Sequence, residues 1–351
     1  MAPTSSLPQR RHKVLFIAFK YLGDVVVAIP ALRAYRQHYP ADELHLLVAE
    51  DALPLVATLP WINRVWALPR TRGKVRLRET IPVIRALRAE QFDLSADLIG
   101  NDRGAFLSLA VGAPRRYGLH SPRGFLGRRA CYHHPVEEAP ADWHETRRHM
   151  HFLRVFGVGE DAPLDLELRP DPAEADAAAR LLPAPAIIAH ISTSKPVKEW
   201  PLASWCNLAR LAREAGHRVL FAAGPTPRER ALLKQLQADL PDAELLPETP
   251  SLRLYLAVLA RASLLVSGDT GPMHFAAGLG IPTVSLFGPS YVHQWAPRAP
   301  LAVCLQAEAC RCDPRQDTCT AATPCLGTLL PDRVWETMRG LLNRAAVTPS
   351  P

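Results

Sequence analysis

Short apolar runs alternate with longer amphipathic ones along most of the chain. Lys13 to Phe19 is apolar and rich in β-formers, and its pattern predicts a buried strand. Gly23-Asp24 follows, and Val25 to Tyr39 then predicts an apolar helix bent at Pro30. Further strands are expected at 43–49, 63–68 and 94–99, and helical segments at 51–59, 74–90 and 103–111. Strands and helices alternating at this spacing imply a parallel, doubly wound sheet. Residues 114–140 are rich in Gly, Arg and Pro and are expected to form a long loop over that sheet, before a helix at 141–156.

A proline-rich stretch separates this half from a second alternation. Strands are expected at 186–191, 218–223, 243–247, 263–267 and 282–287, with helices between them and a last helix at 332–345. The fold class is therefore α/β, with two Rossmann-like parallel-sheet domains. The expected division is 1–165, a linker at 166–185, a second domain at 186–330, and a terminal helix and tail at 331–351. Two such domains place a cleft at the carboxyl ends of both sheets.

Composition narrows the class. Hydrophobic residues make up 48% of the 351 positions and charged residues 21%, which suits full globular cores. No apolar run approaches the roughly 20 residues that cross a bilayer. The polar stretch from Met1 to His12 lacks the form of a signal peptide, so a cytoplasmic location is expected. Net charge is +7 and uneven: residues 64–129 hold 14 basic against 5 acidic side chains. A positive face in the first half implies an anionic partner, although a solvated arginine-rich surface has the same composition. Aromatics do not interleave with the basic residues in the way that stacks bases, so nucleic acid is not expected. Cys310, Cys312, Cys319 and Cys325 crowd into one segment, compatible with a structural zinc, a disulfide pair or free cysteines.

Three polar stretches interrupt the apolar pattern at strand ends. Gly23-Asp24 follows the first strand; its carboxylate is either a helix cap or a proton acceptor aimed into the cleft. The stretch His190 to Pro201 sets hydroxyls at Ser192, Thr193 and Ser194 and lysines at Lys195 and Lys198 before a helix. Such a loop can donate hydrogen bonds and a point charge to a diphosphate. Val266 to Gly278 reads as strand, tight turn and helix, with Asp269, Thr270 and Gly271 in the turn, Pro272 in the first helical turn and His274 beyond it. A helix start of this kind suits a phosphate. The second and third stretches should lie side by side on one sheet edge.

These stretches carry a resemblance. The chain resembles the ADP-heptose:lipopolysaccharide heptosyltransferases of glycosyltransferase family 9 over residues 13–343. The likeness runs through Lys13-Val14-Leu15, Leu22-Gly23-Asp24, Ile29-Pro30-Ala31-Leu32 and Asp97-Leu98-Ile99-Gly100 with Arg103. It continues through Lys198-Glu199-Trp200-Pro201, Gly224-Pro225 with Glu229, Gly268 to His274, and Phe287-Gly288-Pro289-Ser290. It implies a GT-B fold and an inverting, metal-independent transfer of heptose from ADP-heptose to the lipopolysaccharide inner core. By that likeness Asp24 is the general base. Thr193, Ser194 and Lys198 hold the diphosphate with Thr270 and Gly271, Asp269 and His274 position the donor, and Glu229 meets the ribose. Arg103, Arg115, Arg116 and Arg123 would meet an acidic lipid A/Kdo-containing acceptor, with the enzyme peripheral to the inner face of the cytoplasmic membrane. Lys20-Tyr21 departs from the small or polar pair that many members carry before Leu-Gly-Asp. The alternatives are a GT-B enzyme for a UDP- or GDP-linked sugar, and a non-catalytic nucleotide-binding protein of the same fold.

Overall fold

The computed structural model describes residues 11–69, 77–120, 124–308 and 324–347. It divides into two compact units, at Leu168/Arg169. The first contains β1 (Lys13–Ala18), α1 (Leu22–His38), β2 (Glu43–Ala49), α2 (Leu53–Val56), β3 (Arg64–Leu68) and α3 (Leu77–Ala89). It continues with β4 (Leu94–Asp97), α4 (Asp102–Val111), β5 (Arg115–His120), β6 (His134–Glu137) and α5 (Glu145–Phe152). Its six strands form one sheet in the order β3-β2-β1-β4-β5-β6, and every pairing is parallel.

β1 shows why the apolar run is continuous. Leu15 and Ile17 enter a core with Leu47, Trp66, Leu87, Phe92, Leu107 and Val111, under α3 and α4. Phe16 points the other way, edge-on to Tyr35 of α1 and to Phe156. Helices cover both faces, so the strand is buried from Val14 to Ala18 and the polar–apolar alternation disappears.

The second unit contains α6 (Ala175–Leu181), β7 (Ile187–His190), α7 (Leu202–Glu214), β8 (Val219–Ala222), α8 (Pro227–Asp239) and β9 (Glu244–Leu245). After these come α9 (Leu252–Leu259), β10 (Leu264–Gly268), α10 (Gly271–Gly278), β11 (Thr283–Phe287), α11 (Val292–Trp295), β12 (Ala302–Gln306) and α12 (Pro331–Val347). The strand order is β12-β11-β10-β7-β8-β9, again wholly parallel. Ile187, Ala189 and Val266 pack with Trp205 of α7 and with Val334, Met338 and Leu341 of α12 in one core. Residues 169–185, read from the sequence as part of a linker, fall in this unit, where α6 packs on α9.

Three strands differ from expectation. The segment 114–140 is not one long loop: it holds β5 and β6, which extend the first sheet beyond β4. Its composition conceals them. Arg115-Arg116-Tyr117-Gly118-Leu119-His120 is basic and interrupted by glycine, and its strand character comes from the ladder offered by β4. Gly118 is required by close approach, since a Cβ there would come 2.1 Å from the Tyr132 ring. β12 likewise completes the second sheet beside β11. At the other end of the first unit, α1 begins at Leu22 and so takes in Gly23 and Asp24.

Candidate active site

Both sheets reverse their strand order at one place. In the first, β1 is followed outward by β2 and β3 on one side and by β4 on the other. In the second the same reversal lies between β7 and β10. Ligands of open α/β sheets bind outside the carboxyl ends of the strands at such points, and the polar stretches found in the sequence sit there.

In the first unit Asp24 is the third residue of α1, with Tyr21 as N-cap. It is therefore in the first helical turn rather than at the cap. Its side chain is 10% exposed, and Oδ1 lies 2.6 Å from Lys20 Nζ. Asn101 joins the neighbouring loop to this one: Nδ2 donates to the Phe19 carbonyl at 2.9 Å, while Oδ1 accepts from Gly104 N and caps α4. The Arg103 guanidinium lies over the Phe19 ring at 4.6 Å and donates to the Pro69 carbonyl. On α5, His149 is buried and held neutral, its pKa pushed down to about 3 by burial, with the charges of Lys20 and Arg148 adding to the effect.

Asp97 and Asp102 are the other carboxylates at this edge. Asp97 is fully buried; it accepts from Tyr132 Oη at 2.6 Å and from the Ile99 and Gly100 amides at 3.1 Å each. Burial pushes its pKa up to about 6, against the pull of those three donors. It holds the turn after β4. Asp102 is exposed and paired with Arg128 at 3.3 Å.

The shift on Asp97 gives a pH-dependent stability. Its folded pKa, about 6, exceeds the ordinary 3.8, so the folded state binds the extra proton between those values. The contribution of Asp97 to stability is therefore greatest below about pH 4 and is lost as the pH rises to about 6. Asp97→Asn keeps an acceptor for the two amides and removes the titration. Relative to the parent, the variant should gain about 3 kcal/mol between those pH values. Paired denaturant melts across the range check this; a constant difference would remove Asp97 as the cause.

In the second unit the loops after β7 and β10 meet. Lys198 Nζ lies 2.6 Å from Asp269 Oδ2, both largely buried. A Cβ on Gly268 would come within 2.9 Å of both the Lys198 carbonyl and Thr193 Cγ2, so only glycine lets the two loops lie this close. Thr193 is buried, donates its hydroxyl proton to the Lys195 carbonyl at 2.6 Å and its amide to Glu199 Oε1 at 3.0 Å. Arg228 bonds Glu199 at 2.7 Å and the Thr193 carbonyl, tying the loop to the start of α8. Ser194 is exposed. Thr270 is the N-cap of α10, yet its side chain makes no cap hydrogen bond; Gly271 and Pro272 open the helix and His274 is buried in it. The loops expected to lie side by side do so.

Other expected site residues are already engaged within their own unit. Glu229 is buried in a capping box: Oε2 accepts from Thr226 Oγ1 at 2.5 Å and from its amide, and Oε1 accepts from Ser192 Oγ at 3.1 Å. It braces the turn after β8. The Thr-x-x-Glu spacing of Thr226 and Glu229 carried that signal in the sequence. Arg115 and Arg116 begin β5, at the amino edge of the sheet, because β5 runs parallel to β4 with Arg115 opposite Leu94. Arg116 donates to the Cys131 and Ala113 carbonyls and Arg115 to that of Asp93, so neither joins Asp24. Arg123, Cys310, Cys312 and Cys319 lie outside the described residues. Asn101 and Arg228, which shape the two edges, were not singled out from the sequence; a short polar residue before a helix is the signal that would have found Asn101.

Among the described residues Glu43, His45 and Glu90 form a group with metal-ligand spacing. It does not fit an ion. Trp66 Nε1 donates to His45 Nδ1 at 3.0 Å, so the neutral ring carries its proton on Nε2, which faces Glu43 at 2.9 Å. Lys13 and Arg64 bind Glu90. The group is an ion-pair network at the amino edge of the first sheet.

Two wholly parallel six-stranded α/β units, each with polar loops gathered at the strand-order reversal, have the GT-B architecture of glycosyltransferases. The chain belongs to glycosyltransferase family 9 (heptosyltransferase), whose family model matches residues 81–324. It is 30% identical over 295 residues to lipopolysaccharide heptosyltransferase 1 of Pseudomonas aeruginosa, covering 79% of each chain. Among solved structures it is similar to the family 9 glycosyltransferase of Veillonella parvula (TM-score 0.81, 19% identity, 97% of this chain and 99% of that one). It is also similar to the ADP-heptose LPS heptosyltransferase II of E. coli (TM-score 0.76, 20% identity, 95% and 99%).

Proposed function

We propose that this enzyme transfers L-glycero-D-manno-heptose from ADP-heptose to the inner core of lipopolysaccharide, with inversion and without a metal. The observation that carries the reading is the convergence of the Lys198 and Asp269 loops at the start of α10. Relatives named for ADP-heptose and lipopolysaccharide support the donor and acceptor classes.

In this reading the diphosphate takes Lys198 from Asp269 and receives hydrogen bonds from Ser194, Thr270 and the Gly271 amide. Asp269 and His274 then position the donor sugar. Thr193 and Glu229 act by holding the loops in shape. Asp24 accepts the proton of the acceptor hydroxyl as its oxygen bonds to the anomeric carbon and the bond to ADP breaks. Positive charge and helix-end amides stabilise the departing diphosphate, the role a cation has in other transferases. Arg103, at the edge that carries Asp24, meets the acidic acceptor. The acceptor is lipid-borne, so the enzyme works peripherally at the cytoplasmic face of the inner membrane. No helix among the described residues is long and apolar enough to cross it.

Calorimetric titration with ADP, UDP and GDP, paired with transfer assays in EDTA, tests this. ADP should bind most tightly and transfer should persist. Preference for UDP or GDP would replace the donor, and loss of activity restored by magnesium would end the metal-free account.

A further inference from the structure

We propose that the outer face formed by α3, α4 and the 124–130 turn docks on an anionic lipid bilayer; this assigns the membrane contact and rests on the acceptor being lipid-borne. Eight large apolar side chains are exposed among the described residues, and four of them, Ile81, Phe106, Leu109 and Leu126, lie on these elements. Leu126, 102% exposed, stands at the tip of its turn between Gly124 and Gly127, both in the left-handed region (φ 125° and 90°). The preceding Phe125 stacks on Phe106 with ring centroids 4.7 Å apart. The surface is continuous, because α3 packs on α4 and α4 packs on the Arg128–Cys131 turn.

Charge selects the occupant. Arg78, Arg85 and Arg88 are exposed on α3 and share one helical stripe with Ile81; Arg129 is exposed beside Leu126. The exposed acids on the same elements are Glu79 and Asp102, and Asp102 is bonded to Arg128. Apolar tips ringed by arginine are what an anionic interface takes up: the tips enter the acyl boundary and the guanidiniums remain among the headgroups. A second copy fits poorly, since a two-fold contact sets the same arginines against one another. The face also leads to the site. The first turn of α4 reaches the β1 edge through Asn101 and Arg103, both against Phe19, so a bilayer on α4 lies beside the edge that holds Asp24.

The test is co-sedimentation of the full chain, without donor or acceptor, with vesicles of phosphatidylglycerol and phosphatidylethanolamine and with vesicles of phosphatidylcholine alone. Binding is expected to the first and to fall with salt. Phe106→Ser with Leu126→Ser should weaken it by roughly tenfold or more. Arg78→Gln, Arg85→Gln and Arg129→Gln should each weaken it by roughly fivefold. These side chains are solvent-exposed, so the thermal melt and ADP affinity should stay at parental values. Equal partition onto both vesicle types, or unchanged binding in the folded variants, overturns the proposal. So does a dimer that the apolar variant dissociates, which would give the face to a second copy, or arginine variants that lose duplex DNA and keep vesicles. Vesicle binding without heptose transfer would sink the transferase reading and leave the docking face standing; transfer without vesicle binding does the reverse.

Discussion

Asp24→Asn is expected to lower kcat by about 10²–10⁴-fold, the usual loss for a general base, with ADP affinity nearly intact. The reason is positional. Under the proposed function, a single displacement needs a carboxylate to take the acceptor proton as the diphosphate leaves. At the β1–β4 edge of the first unit, Asp97 is fully buried and bonded to Tyr132 and two amides, and Asp102 is paired with Arg128 and Phe125 N. Asp24 is left, in the first turn of α1 with Lys20 at 2.6 Å. Asparagine keeps its size and most of its hydrogen bonding and takes no proton. Steady-state kinetics beside calorimetry decides the matter: near-parental turnover would reduce Asp24 to part of a structural ion pair with Lys20.

The next largest effect is expected at Lys198. Lys198→Ala should raise the Kd for ADP by about 10- to 150-fold, the worth of a charge-assisted hydrogen bond of about 1.5–3 kcal/mol. Part of that loss belongs to its partner. With Lys198 gone, Asp269 keeps an uncompensated carboxylate beside the diphosphate, since the pair is 2.6 Å apart and only 19% and 11% exposed. The double variant Lys198→Ala, Asp269→Asn should therefore bind ADP better than the single one, a coupling that a double-mutant cycle measures directly. An ADP affinity indifferent to Lys198→Ala would move the diphosphate elsewhere on the sheet edge.

The apolar pattern contained the two-unit parallel α/β fold, for a definite reason. Strands covered on both faces, such as β1 and β7, are apolar except at one end, Lys13 and His190, and the helices between them keep a helical period. The polar loops after β7 and β10 could be read for the same reason, because polar clusters at the ends of buried strands are conspicuous. The identity of β5, β6 and β12 lay outside the pattern. They are outer strands of their sheets, and what makes them strands is the ladder of a neighbour: β4 for Arg115–His120, β11 for Ala302–Gln306.

Position around the site divides the same way. Residue types along the chain placed Asp24, Lys198 and Asp269 at strand ends, and local spacing already held the Thr226–Glu229 capping box. Whether a charge was available was settled by partners far off in the chain. Lys198 meets Asp269 from 71 residues away, and Arg116 is held by the carbonyls of Cys131 and Ala113. The running direction of β5 puts Arg115 at the amino edge, opposite Leu94, whereas the family resemblance implied a place for it with the acceptor. Chain chemistry fixes which groups are present; hydrogen-bond ladders and close packing, as at Gly268 and Gly118, fix which of them share an edge and which are already engaged.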